Sequence, residues 1–170
     1  MIKIVLTTVA ALVLGPFVGL SAHAAGIPIT ESEVKNARGC LPSLADPPDT
    51  MVQFKNGKFA SKDYPFANIR ATAFGVLNGS PAAVAEVCWN TGGSGNWEVV
   101  ELFRKKNGHI VGDKVYWPTN LPKGGTMVGR IEIKNNKIYL YGEAPMENGR
   151  KIKTPLIIST KDFTQSRDHE

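Results

Sequence analysis

Two cysteines, Cys40 and Cys88, and three histidines are the whole stock of thiols and imidazoles in this 170-residue chain. His23 falls in an N-terminal leader, so a Ser-His-Asp or Cys-His arrangement would have to use His109 or the terminal His169. His109 sits in Lys106-Asn107-Gly108-His109, a turn sequence, and no nucleophile-elbow sequence accompanies it. A two-carboxylate glycosidase needs an acid and a base across a cleft. Glu86, Glu98, Glu101 and Asp113 qualify by residue type, but Glu98 and Glu101 fall on opposite faces of one expected strand and make a poor pair. No residue is assigned a catalytic role.

Binding chemistry has better candidates. Gly92-Gly93-Ser94-Gly95 resembles an anion cradle only in composition. A Walker loop continues Gly-Lys-Ser/Thr and a dinucleotide loop opens a helix, whereas Trp97-Glu98-Val99-Val100 continues as a strand. A glycine loop carried on a rigid sheet is nevertheless a common place for recognition. Asn90, Ser94 and Asn96 would form its polar tip, with Trp97 beside them and Trp89 opposite. Tyr116 and Trp117, followed by Pro118, supply further surfaces that stack on a sugar or anchor a protein. Core packing competes for all of these aromatics. Tyr139 and Tyr141 alternate away from Ile138 and Leu140 and are expected to form an outward strip. No metal site or cofactor is read.

The compartment is written at the N-terminus. Lys3, the apolar stretch 4–14 and the small-x-small triplet Ala22-His23-Ala24 make residues 1–24 a cleavable secretory signal peptide. Gly15-Pro16 breaks the run before it is long enough to span a bilayer, so no membrane span is expected after cleavage. Export to the periplasm or beyond makes Cys40 and Cys88 an expected disulfide, worth about 4 kcal/mol in the chain-entropy model. Cleavage removes one lysine and no acid, which leaves a mildly basic chain at +4. The densest basic cluster, Arg104-Lys105-Lys106, runs into Asn107-Gly108 and reads as a solvated turn. Nucleic acid is not an expected partner for an exported chain of this charge pattern.

Positioning these residues falls to short strands. Residues 25–50 form an N-terminal helix and proline-rich arm, and residues 51–170 a single antiparallel β domain packed with it. Thr30-Glu31-Ser32-Glu33 is a capping box for a helix running to about Arg38 and stopping at Gly39. Pro42, Pro47 and Pro48 make residues 41–50 an extended connector. Asn56-Gly57 joins 51–55 to 58–60 as a hairpin. Further strands are expected at 69–77, 82–89, 97–104, 115–117, 127–134, 137–141 and 155–159. Ile131, Ile133, Ile138 and Leu140 should face inward while Arg130, Glu132 and Lys134 face water. The fold class is mostly β, an antiparallel sandwich or small barrel, with one short N-terminal helix.

Residues 74–103 read as a three-strand meander, with Asn78-Gly79-Ser80 at the first turn and the glycine loop at the second. Over residues 66–142 the pattern resembles exported bacterial proteins of the LppP/LprE type. In these a Gly-Asp-Leu-x-Gly-Asp-Gly turn precedes an apolar strand, a Gly-Gly-x-Gly loop and a Trp or Tyr strand. Asn78-Gly79-Ser80-Pro81 lacks the acidic side chains of that turn, so no calcium is expected there, and no cysteine stands at the cleavage site for a lipid anchor. The resemblance implies an envelope protein without an assigned reaction.

The reading that follows is an exported, non-enzymatic binding or interaction module, whose partner is an envelope or extracellular protein or glycan. A small hydrolase acting on an envelope polymer is the alternative, and an inhibitor or immunity protein for a secreted toxin is the third.

Overall fold

The computed structural model describes residues 27–42, 50–62, 65–90, 92–93, 95–117, 128–142, 146–147, 150–151 and 155–165. The expected signal peptide, Pro47, Pro48 and Ser94 lie outside them. The helix α1 (Glu31–Lys35) opens with the capping box: Thr30 N donates to Glu33 Oε2 at 2.8 Å and Glu33 N donates to Thr30 Oγ1 at 3.2 Å.

The strands follow in order. β1 (Arg38–Leu41), β2 (Thr50–Gln53), β3 (Lys58–Ala60), β4 (Phe66–Leu77), β5 (Ser80–Asn90), β6 (Trp97–Lys106) and β7 (His109–Tyr116) belong to one large sheet. β8 (Val128–Lys134) and β9 (Lys137–Gly142) start a second, β10 (Met146–Glu147) and β11 (Arg150–Lys151) form a small hairpin, and β12 (Leu156–Ile158) completes the second sheet. β13 (Thr164–Gln165) returns to pair with β7.

The large sheet runs β2-β1-β7-β6-β5-β4-β3, antiparallel except where β1 meets β7 in parallel at Arg38 and Val111. It curls until its outer strands nearly meet. Lys55 and Lys58 form an isolated bridge around the Asn56-Gly57 turn. Beyond that bridge the two arms diverge, β2 to β1 and β3 to β4, so the expected hairpin is a turn that closes the curl and not a two-stranded ribbon.

The helix is shorter than the sequence implies, and Gly39 does not end it. Asn36 caps the helix, and Gly39 sits inside β1 where a Cβ would strike the Phe54 ring and the Glu101 carboxylate. Close approach, not a left-handed turn, is what requires glycine there.

Each face of the large sheet buries its own core. The enclosed face gathers Val34, Val52, Phe54, Val87, Val99 and Phe103. The outer face carries Leu77, Val84, Val100 and Leu102, covered by Ile131, Ile138 and Leu140 of the β12-β9-β8 sheet. The period-two alternation places these isoleucines inward, and it leaves Tyr139 and Tyr141 half-buried on the other side. Each fully buried side chain of this kind contributes about 1.5–3 kcal/mol. No helix among the described residues is long and apolar enough to cross a membrane.

The expected disulfide does not form. Cys40 points from β1 into the enclosed core, while Cys88, between the inward Val87 and Trp89, points from β5 to the outer face. The sheet itself separates the two buried sulfurs, and an even count of cysteines in an oxidising compartment carries no information about that.

Candidate functional site

The enclosed core ends in a row of aromatic residues set by strand register. Phe59 on β3 pairs with Ala67 on β4, Ala67 with Trp89 on β5, and Trp89 with Trp97 on β6. Trp117, just past β7, meets Trp89 edge to face with ring centroids 5.6 Å apart. Trp89 is buried, whereas Trp97 and Trp117 pack on the core with part of each ring left outside.

Directly beyond this row lies the glycine loop, and one side chain ties its described residues together. Asn90 Oδ1 accepts from Gly92 N at 2.7 Å, and Asn90 Nδ2 reaches Gly95 O at 2.9 Å, Asn96 Oδ1 at 3.1 Å and Gly93 O at 3.3 Å. Gly93 and Gly95 have negative or extended φ, and nothing lies within 4 Å of a Cβ built on either. The fold therefore does not need glycine at these two positions. Their missing side chains leave loop backbone open to approach.

Of the six expected binding residues, Asn90, Asn96, Trp97 and Trp117 come together at this end. Ser94 lies outside the described residues. Tyr116 does not join them, because adjacent strand residues face opposite ways: its ring turns to the outer core and sits 6.0 Å from Phe163. Tyr139 and Tyr141 lie on the second sheet, where the Arg130 guanidinium stacks 4.0 Å from the Tyr141 ring centroid and Tyr141 Oη donates to Glu132 Oε2 at 3.0 Å.

A polar cluster occupies the outer face where the second sheet stops covering the first. Arg70 follows the inward Ile69 on β4 and so faces outward by alternation, at a β-bulge between Ile69 and Thr72 that also turns Ala71 to the outer face. Its Nη1 reaches across β5 to Glu98 Oε1 on β6 at 2.9 Å. Cys88 pairs directly with Glu98, and Glu86 lies two residues back along the same face of β5. Glu86 Oε1 accepts the Val128 N–H at 2.8 Å, which pins the start of β8 to the large sheet. Burial pushes the Glu86 carboxyl up to about 7, with the Glu98 charge adding to the rise and the Val128 donor opposing it. Burial also raises Glu98, against the pull of Arg70, and it raises the Cys88 thiol, which makes that sulfur a poor nucleophile. Glu98 Oε2 is buried and finds no hydrogen-bond partner among the described residues.

Glu101 takes the opposite side, as its parity requires. It is fully buried in the enclosed core, accepts the Cys40 N–H at 2.5 Å, and fits only because Gly39 and Gly112 offer no side chains. Glu98 and Glu101 thus lie on opposite faces of β6, as the alternation implies, and Glu86 falls on the same face as Glu98.

His109 is exposed at the start of β7, on a surface groove of about 330 Å³ whose polar lining includes Glu33, Arg38 and Gln53. Glu33 is engaged in the helix cap, which holds its carboxyl below the ordinary range. Arg104, expected in a solvated basic turn, instead clamps the β4–β5 hairpin by donating to the carbonyls of Leu77, Ser80 and Pro81. Comparison with known proteins found no matching family model, no matching curated protein and no matching solved structure.

Proposed function

We propose that the protein is an exported, non-enzymatic binding module of the cell envelope, and that it engages an envelope or extracellular protein through the 90–96 loop together with Trp97 and Trp117. One observation carries the reading: the Asn90 side chain braces the loop through four hydrogen bonds, while Gly93 and Gly95 are glycine without a packing reason. Backbone already tied by hydrogen bonds at Gly92, Gly93 and Gly95 loses little freedom on binding. Partly buried tryptophans beside it are the residue type that dominates binding energy at interfaces. The leader of residues 1–24 supports export.

The test is chemical cross-linking of the mature protein to a native envelope protein fraction, read by mass spectrometry, with Asn90→Ala, Trp97→Ala and Tyr139→Ala variants in parallel. One partner lost with the first two and kept with the third supports the reading. Equal capture by all variants sinks it. A soluble oligosaccharide that quenches tryptophan fluorescence in the wild type, but not in Trp97→Ala, moves the partner to the glycan class.

The hydrolase reading is favoured by the shared face of Glu86 and Glu98 and by a carboxyl near 7, suited to holding a proton at neutral pH. Hydrolysis of purified envelope polymer by the wild type, and its loss in Glu86→Gln, would establish it.

A further inference from the structure

We propose that Asn107 is a site of spontaneous deamidation, singled out from matched Asn-Gly turns by how the fold ties down the others. Asn56-Gly57, Asn78-Gly79 and Asn107-Gly108 each place both residues at positive φ, the type I′ pattern: 52° and 75°, 53° and 74°, 49° and 82°. The reaction is the same at each. The backbone nitrogen of the glycine attacks the asparagine Cγ, an N–Cγ bond forms, the Cγ–Nδ2 bond breaks, and ammonia leaves carrying the glycine N–H proton. Water then opens the cyclic imide at either carbonyl, giving aspartate or isoaspartate.

Two requirements decide which turn reacts: an amide side chain able to swing onto the backbone, and a glycine nitrogen not held by an acceptor. Asn56 fails the second, because Gly57 N donates to Lys35 O at 2.7 Å, and its own N–H is held by Asn36 Oδ1 at 3.1 Å. Asn78 fails the first. Its Nδ2 donates to Thr160 Oγ1 at 2.7 Å, its Oδ1 accepts from Asn136 Nδ2 at 2.9 Å, and its N–H is held by Asn136 Oδ1. These contacts lock the β4–β5 tip to the β8–β9 tip. Asn107 is exposed and its side chain makes no hydrogen bond to any described residue, and space around Gly108 is open to 4 Å.

The product matters to the surface around it. Lys106 and His109 pair directly across this turn, so isoaspartate, which adds a backbone methylene, breaks a register that needs two residues in the loop. Either product also sets a carboxylate between the basic Lys105-Lys106 pair and the groove that His109 and Arg38 line.

Peptide mapping by mass spectrometry of the folded, full-length mature protein, held at mildly alkaline pH, reads conversion at each turn over time. A urea-unfolded sample calibrates the intrinsic rates, and Asn136→Ala removes one of the two side-chain hydrogen bonds that hold the Asn78 amide, leaving the one to Thr160. Conversion at Asn107 several-fold ahead of Asn56 and Asn78 in the folded protein, with comparable rates when unfolded and a selective rise at Asn78 in Asn136→Ala, is the expected result. Comparable rates in the folded protein, or Asn56 or Asn78 ahead, would overturn the proposal. So would an Asn107 that converts only after unfolding.

Discussion

The two faces of the large sheet each bury a glutamate, and they do so by different means. On the enclosed face, Glu101 lies among Phe54, Phe103 and two glycines, and it takes a backbone N–H from β1. On the outer face, Glu86 takes a backbone N–H from β8, but it shares its neighbourhood with Glu98, Arg70 and Cys88 near the margin of the second sheet. Each carboxyl thus fastens a peripheral element to the central meander, β1 in one case and β8 in the other. The inner one is walled in by packing. The outer one belongs to a group of titratable residues whose charges respond to each other, and it is the seam most sensitive to solution conditions.

Truncating the enclosed face should have the largest effect. Trp89→Ala removes a fully buried ring from the aromatic row and is expected to destabilise by about 4 kcal/mol, measured by urea unfolding. A penalty that stays constant between acidic and mildly alkaline pH fits an aromatic row held by packing. A penalty that changes strongly over that range breaks the contrast.

Glu86→Gln probes the outer face through its pH dependence. The folded carboxyl titrates at about 7, above its ordinary 4.5, so its stabilising contribution is complete below 4.5 and is lost as pH rises through 7. The glutamine variant lacks this loss and can still accept the Val128 N–H. Its stability relative to wild type should therefore improve from pH 4 to pH 8, by up to about 3 kcal/mol, read as midpoints at the two pH values. A flat difference would remove the titrating seam from the comparison.

Arg70→Met has the smallest expected effect. It leaves Glu98 buried without its cation, yet Arg70 is one-third exposed and its pair is partly screened, so a loss of about 1 kcal/mol at pH 8 is expected. The loss should shrink as pH falls, because burial already raises the Glu98 carboxyl toward the neutral form. A larger effect that persists at acidic pH would show that Arg70 holds the β4 bulge by packing and not by charge.

The local rules were readable residue by residue. Capping chemistry is carried by Thr30 and Glu33, hairpin turns by asparagine followed by glycine, and inward faces by the alternation at Ile131, Ile133, Ile138 and Leu140. The candidate tip was legible where it depended on neighbours in the chain: Asn90, Asn96 and Trp97 flank one loop. It failed at Tyr116, which was grouped with Trp117 by adjacency although a strand sends adjacent side chains to opposite faces. The polar cluster was not legible as a unit, because its members come from three strands and are assembled by the β4–β5 and β5–β6 registers. Gly39 misled for a similar reason. A glycine nine residues after an N-cap looks like a helix stop, and only Phe54 and Glu101 pressing on β1 reveal its purpose.

Short-range chemistry accounts for what the chain alone decided: mostly β structure, the helix cap, the Asn-Gly turns and the faces of each strand all rest on interactions within a few residues. The curl of the large sheet, the parallel meeting of β1 and β7, the placing of Cys40 and Cys88 on opposite sides and the burial of Glu86 and Glu101 were decided by tertiary structure. Each depends on which distant strands become neighbours, and alternation along one strand cannot say which strand will lie beside it or what will cover its face.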